Sequence, residues 1–203
     1  MIIIGLTGVI GSGKSSAARI LRQRGIAVID IDALAKESLT WKETQRDIQN
    51  AFGEGVVNDG KVDPAKLSAL VFRDESALRR LESIVHPRVR AELDRRMEEL
   101  RRRGCPVVVL DHPLLFETGV YLLVDKIVVV STGREKILER LKIRGVSEDE
   151  AKRRLSFQMS LEEKAARADY VVDNNGTEEQ LEKNIDSLLE MIQKWEEKTH
   201  ASQ

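Results

Sequence analysis

Gly8-Val9-Ile10-Gly11-Ser12-Gly13-Lys14-Ser15 carries the spacing G-x-x-x-x-G-K-[ST]. It sits between a short apolar run, Ile2–Thr7, and a segment, 16–24, with apolar residues at helical spacing. The first has the length and β-branched content of a buried strand. The second stops at Gly25, a helix C-cap residue. Strand, glycine-rich loop and helix in this order leave a chain few folds. The glycines let the backbone curl so that successive N–H groups face one centre, and the helix N-terminus adds partial positive charge. Such a loop cradles phosphate. Gly8, Gly11, Ser12 and Gly13 form the cradle, with Ser16 just behind it. Lys14 reaches β- and γ-phosphates of a nucleotide, and the Ser15 hydroxyl suits Mg2+.

Strands are expected at Ile2–Thr7, Ala27–Asp30, Val107–Asp111, 126–130 and Tyr170–Asp173. Most are continuous apolar runs, as in parallel strands covered on both faces. Helical patterns lie between them, which argues for βαβ units. The stretch from Asp32 to Gly104 is too long for one crossover and holds helical patterns at Lys42–Phe52, 63–72, 75–85 and 87–103. The expected organisation is one α/β domain: a nucleotide-binding core at 1–35 and 104–203, a helical insertion at 36–103 and a lid near 134–165. Capping boxes are expected at Thr132, Ser147 and Thr177, each followed three residues on by Glu or Gln. The segment 177–197 carries one apolar stripe, Leu181, Ile185, Leu188, Leu189 and Ile192, expected to pack on the sheet. A polar tail from Lys198 is expected to fray.

Several residues carry chemistry beyond the loop. Val28-Ile29-Asp30-Ile31-Asp32 ends the second strand on two carboxylates pointing the same way, and ligands sit off the carboxyl ends of strands in open α/β sheets. Asp32 either meets an acceptor hydroxyl, as base, orienting group or water-mediated Mg2+ holder, or caps the helix that follows. Val107–Asp111 is an apolar strand ending in Asp, which places Asp111 near a metal through water. Arg140 and Arg144 share a helix face in an arginine-dense segment. Planar guanidinium forks suit phosphate oxygens, and a helical flap bearing them can close over a nucleotide. His86-Pro87 falls between two helical patterns, as a turn or helix-start feature.

Composition removes other classes. Lys and Arg total 33 against 34 Asp and Glu, so nothing supports a bulk nucleic-acid binder. Cys105 is the single cysteine and only three histidines occur, so neither a disulfide nor a zinc site is expected. Cys105 reads as a small core or rim residue. No charged leader precedes an apolar h-region and no apolar stretch nears the roughly 20 residues of a membrane span, which points to the cytoplasm. A GTPase would carry Asn-Lys-x-Asp; Asp173-Asn174-Asn175-Gly176 lacks the lysine.

The chain resembles the dephospho-CoA kinase family. The resemblance rests on the P-loop, on Val28–Asp32, on Asp59-Gly60 with Val71-Phe72, on Leu81-Glu82 with His86-Pro87, on Pro113-Leu114-Leu115-Phe116-Glu117, and on 168–176, which reads Ala-Asp-Tyr-Val-Val-Asp-Asn-Asn-Gly. It implies a P-loop kinase fold like that of the nucleoside monophosphate kinases: a five-stranded parallel sheet with helices on both faces, a helical acceptor-binding insertion and a helical lid. It implies transfer of phosphate from ATP, with Mg2+, to the ribose 3′-hydroxyl of dephospho-CoA. Asp32 then stands at the acceptor hydroxyl and Arg140 is the lid arginine. Lys14 joins them in catalysis, and Arg144 and Asn175 serve ATP, Asn175 near the adenine. His86, Pro113, Leu114, Leu115 and Glu117 line the acceptor side. The expected partners are ATP and dephospho-CoA, for a monomer or small homo-oligomer. The alternatives are another small-molecule or nucleoside monophosphate kinase, or a regulatory P-loop NTPase. Three departures stand out: Gly8-Val9 where two glycines are usual, no Pro-Gly within 38–42, and Asp63-Pro64 where an arginine often follows the Asp-Gly turn.

Overall fold

The structure, a computed structural model, describes residues 1–201 except 59 and 72, with side chains as far as 198. In chain order the elements are β1 (Ile2–Thr7), α1 (Lys14–Gln23), β2 (Ala27–Asp30), α2 (Ile31–Ser38), α3 (Lys42–Phe52), β3 (Val57–Asn58), β4 (Lys61–Val62), α4 (Pro64–Val71), α5 (Glu75–Arg102), β5 (Val107–Asp111), β6 (Lys126–Ser131), α6 (Arg134–Ile143), α7 (Glu148–Ser156), α8 (Leu161–Ala166), β7 (Tyr170–Asp173) and α9 (Glu178–Ala201). Two compact units emerge, one from Met1–Ile29 with Arg101–Gln203, the other from Asp30–Leu100. Among the described residues no helix is long and apolar enough to cross a membrane.

The first unit is built on a five-stranded parallel sheet in the order β2-β5-β1-β6-β7. β1 lies at its centre, parallel to β5 on one side and β6 on the other. The pleat explains the continuous apolar runs. Val128 and Val130 join Ile2, Ile4, Leu6, Val107 and Val109 in one core, against α1 and the Leu181, Ile185, Leu188 and Ile192 stripe of α9. Val129, between them, faces the opposite core with Ile137, Leu141, Ala151 and Leu161 of α6, α7 and α8. Alternate side chains point to opposite faces, and both faces are covered, so no polar alternation survives. Four expected strands coincide with observed ones, and β6 runs one residue further, to Ser131. Gly25, at φ 85, follows α1 and lets Ile26 N–H donate back to the Leu21 carbonyl at 3.0 Å. Cys105 is half-buried with its thiol unpaired by any disulfide.

The second unit has its own core of Ile48, Val56, Val62, Leu67, Val71 and Ala77. It contains a hairpin, β3–β4, which the sequence reading did not expect. Each strand is two residues long, too short for a period-two pattern to show. Gly60 in the turn sits at φ 73, a conformation open to glycine. The Asp59 and Phe72 positions of the family resemblance lie outside the described residues.

Four expectations need correction. Residues 75–85 and 87–103 do not form two helices: α5 runs unbroken through Pro87. A mid-helix proline costs about 3 kcal/mol. Val85, Val89, Leu93 and Met97 are buried along one stripe of α5, and each such side chain contributes about 1.5–3 kcal/mol, so burial outweighs the break. Arg88, next to the proline, also donates its Nη1 to the Ile84 carbonyl at 2.5 Å and pairs with Asp47 of α3. Second, β2 ends at Asp30 and α2 begins at Ile31. Asp30, not Asp32, is the cap, accepting from Ala33 N–H at 2.8 Å. Asp32 lies in the first helical turn, so strand alternation does not align the two carboxylates. Third, Thr132 does not cap α6; Gly133 is the N-cap and the Thr132 hydroxyl donates elsewhere. The complete capping box is instead at Ser160 and Glu163, on α8. Fourth, the last helix continues past Lys198 to Ala201.

α5 is laced with ion pairs. Glu92 receives both Arg95 and Arg96, and Arg96 also meets Glu37 at 2.9 Å. Hydrogen bonds from Arg95 and then Arg96 outweigh burial and lower the Glu92 carboxyl from 4.5 to about 2. A lowered carboxyl stabilises the fold above its unfolded value, and that contribution disappears as pH falls through the folded value. We predict that Glu92→Gln lowers the melting temperature fully at neutral pH, and that the gap to the parent closes between pH 4.5 and about 2. A gap independent of pH would remove the ionised Glu92 from the account.

Candidate active site

The loop between β1 and α1 curls as its glycines allow. Ser12 N–H donates to the Val9 carbonyl at 3.0 Å, and Gly11 and Gly13 stand at φ 83 and 93. Gly13 is the N-cap of α1, and no side chain caps that end, so its amides are open to an anion. Lys14 is the first helical residue. Its ammonium pairs with Asp111 at the end of β5, the two side chains being 14% and 3% exposed. A pair so sheltered holds the lysine at the sheet's carboxyl edge. Ser15 is exposed in the first turn, and Ser16 is half-buried with its N–H on the Gly13 carbonyl at 3.0 Å. Ser12 is fully buried and its hydroxyl finds no protein partner.

Turning amides inward turns carbonyls outward, and two residues receive them. Arg140 of α6 donates to the carbonyls of Gly11 at 3.3 Å, Ser12 at 3.1 Å and Asn174 at 3.1 Å. Asn174, buried just after β7, donates its side-chain amide to the Ser12 carbonyl at 2.7 Å. The fit leaves no room: a Cβ on Gly13 would lie 1.9 Å from Asn174 Nδ2. The Asn174 carbonyl and the Asn175 side chain both receive the Thr132 hydroxyl, at 3.0 and 3.2 Å. Asn175 Oδ1 also accepts from Gly133 N–H at 2.7 Å, and Lys136 reaches the Asn175 carbonyl. A cavity of about 290 Å³ opens beside this knot, lined by Gly13, Ser16, Arg140, Arg144, Asn174 and Gly176 among others.

Pro113–Glu117 follows β5. The Pro113 carbonyl accepts from the Thr7 hydroxyl at 3.1 Å and from Lys164 Nζ at 2.5 Å. Lys164 also meets Glu117 at 3.0 Å and is completely buried. Burial pushes the Lys164 ammonium below its usual range, against the pull of Glu117. Burial alone would raise Glu117, but hydrogen bonds from its own backbone, Lys164 and Met159 together hold it below the carboxylate range. Leu115 is fully buried with its methyls against Gly5, where a Cβ would lie 2.7 Å away, and Leu114 is half-buried. His112 is buried, with Nε2 3.1 Å from the Thr118 hydroxyl.

Asp32 and His86 belong to the second unit, where both are exposed, on α2 and α5. Within the first unit the structure brings together Gly8–Ser16, Asp111, Arg140, Arg144 and Asn175 as one group, and Pro113 and Glu117 as its neighbour. Arg140 grips the loop's backbone rather than reaching over an open site. Asn174, Gln158 and Lys164 are not marked as site residues by the sequence, and Thr132 is marked there only as a helix cap. Lys164 follows a Ser-x-x-Glu pattern, which marks a helix start and nothing about burial. Replacing Asn174 by Ala leaves the buried Ser12 carbonyl with Arg140 alone. We predict a loss of about 1–3 kcal/mol, measured as a lower urea midpoint at unchanged m. A midpoint that does not move would deny Asn174 this role.

The family model described as dephospho-CoA kinase matches residues 2–180. The Geobacter sulfurreducens dephospho-CoA kinase is 47% identical over 191 residues, 93% of this chain and 97% of that one. The Carboxydothermus hydrogenoformans dephospho-CoA kinase is 43% identical over 196 residues, 95% and 94% of the two chains. A solved Thermus thermophilus structure superposes with a TM-score of 0.81 at 41% identity, covering 94% of this chain and 97% of that one. The Campylobacter jejuni dephospho-CoA kinase structure, at 24% identity and TM-score 0.67, covers 94% and 96% and shares the fold. With the match unbroken from β1 into α9 and the relatives covered nearly end to end, the chain belongs to the dephospho-CoA kinase family.

Proposed function

We propose that this protein transfers the γ-phosphoryl group of ATP to the ribose 3′-hydroxyl of dephospho-CoA, giving coenzyme A and ADP. The observation that carries the donor half is the loop at Gly8–Ser15, with Lys14 and Asp111 paired at its mouth and α1 uncapped behind it. The acceptor half rests on family membership and on residues that match its motifs.

In this reading Lys14 exchanges Asp111 for phosphate oxygens when nucleotide enters, and the loop amides hold the β- and γ-phosphates. Arg140 keeps those amides aimed by holding the carbonyls behind them, a preorganisation that does not have to be formed during transfer. Arg144 borders the space beside Gly13, Asn175 lies between two residues that line it, and both serve the rest of ATP. The Ser15 hydroxyl and the Asp111 carboxylate are hard oxygen donors, which fit Mg2+ shared with phosphates and water. Mg2+ held by these two residues would offset negative charge on the transferring phosphate. The acceptor oxygen attacks the γ-phosphorus as the bond to the β-bridging oxygen breaks. Asp32 takes or orients the acceptor proton, and the helical segment 36–103, His86 and Pro113–Glu117 hold dephospho-CoA. In this reading the enzyme works in the cytoplasm as a monomer or small homo-oligomer, and its near-zero net charge gives no support to a bulk nucleic-acid partner.

Purified protein with ATP and Mg2+ is expected to convert dephospho-CoA to coenzyme A, followed by coupled ADP release. Turnover of shikimate or a nucleoside monophosphate with none of dephospho-CoA would overturn the acceptor. Asp32→Asn is expected to lower kcat by a factor on the order of 10²–10⁴ while ATP affinity holds. A collapse of ATP affinity at unchanged kcat would place Asp32 on the donor side instead.

A further inference from the structure

We infer that Lys164 is a positioning residue for phosphoryl transfer: its buried ammonium locks the Pro113–Glu117 segment to the turn that holds the P-loop. The inference rests on the proposal that this segment serves the acceptor. Its geometry is a continuous chain of polar contacts. Ile10 N–H, in the loop, donates to Gln158 Oε1 at 3.0 Å. The next residue, Met159, donates its N–H to Glu117 Oε1 at 2.8 Å. Glu117 pairs with Lys164, and Lys164 donates to the Pro113 carbonyl, which also receives the Thr7 hydroxyl at the end of β1. The donor loop and the segment after β5 are thereby joined through α8 and the turn before it.

Two further features make α8 rigid enough for that task. The Ser160–Glu163 capping box closes its first turn from both directions. At its other end the Arg167 guanidinium lies 4.3 Å from the Phe116 ring centre and 5.2 Å from that of Tyr121. The Pro113–Glu117 stretch is thus held by α8 through Lys164 and through Arg167. Stability does not explain a lysine here. Burying an ammonium is unfavourable by several kcal/mol, and a well-packed apolar residue commonly does as well or better. What an apolar residue does not supply is a directed bond to the Pro113 carbonyl and to Glu117 at once.

The test uses Lys164→Met, which keeps the length without the charge, and Glu117→Gln, which keeps an acceptor for Met159. For each, kcat and KM for ATP and dephospho-CoA are measured per folded molecule, with amide exchange at Ile10 and Met159. Lys164→Met is expected to lower kcat on the order of 10–100-fold, as small misplacements do. KM for ATP should change less than about threefold, and exchange at both amides should quicken about tenfold. Glu117→Gln should move all three readouts in the same direction by less, and it decides the matter alone if Lys164→Met does not fold. A kcat per folded molecule within about twofold of the parent, with exchange unchanged, would overturn the inference and leave Lys164 a packing residue. If the parent protein itself fails to use dephospho-CoA, the acceptor reading falls, and the exchange rates still report the lock.

Discussion

A loop that aims its amide hydrogens at a phosphate must aim carbonyl oxygens the other way, into protein. Those oxygens need donors, because a buried unpaired carbonyl is unfavourable by about as much as a hydrogen bond is worth. Arg140 and Asn174 are those donors, and much of the first unit is arranged to bring them there. Asn174 follows the last strand of the sheet, so β7 must pair with β6 for it to arrive. Arg140 comes from α6, which must pack Ile137 and Leu141 on the sheet. Thr132, at the start of that helix, gives up a capping role to tie Asn174 and Asn175. The Gly8–Ser15 loop is therefore a local motif with a non-local support.

That division explains what sequence made legible. β1, β2, β5 and β7 were found with their observed bounds, because both faces of the sheet are covered and apolar runs result. The loop was found because glycine, lysine and serine are required at fixed spacing by the ligand rather than by the fold. Lys164 and Asn174 were not found. Nothing local distinguishes a buried lysine from the solvated ones around it, since its partners Pro113 and Glu117 lie far back along the chain. Pro87 misled for a related reason. Its local penalty is real, and the buried stripe that outweighs it becomes visible only with the core assembled. Asp32 was placed on a strand by alternation, although one more turn of backbone had already become helix.

Charge is used differently in different places. The exposed α5 pairs Arg79–Glu75 and Arg90–Asp94 each span one helical turn in solvent, an arrangement of small net effect. The few sheltered pairs stand where backbone must be held: Lys14 with Asp111 at the mouth of the loop, and Lys164 with Glu117 behind the Pro113 turn. Desolvation makes such pairs intolerant of losing one member. In the proposed reaction Lys14 leaves Asp111 only for phosphate oxygens, while Lys164 and Glu117 stay paired throughout.

The close approach of Gly13 to Asn174 carries a consequence for how such a sequence can drift. A methyl at position 13 collides with the amide of residue 174. Shrinking residue 174 to make room orphans the Ser12 carbonyl. Each step is unfavourable and neither repairs the other, because φ 93 at position 13 strains any side chain there whatever space is cleared. Position 13, at one end of the sheet's chain order, is thus doubly closed to a side chain: by its own backbone angle and by the amide of residue 174, at the other end.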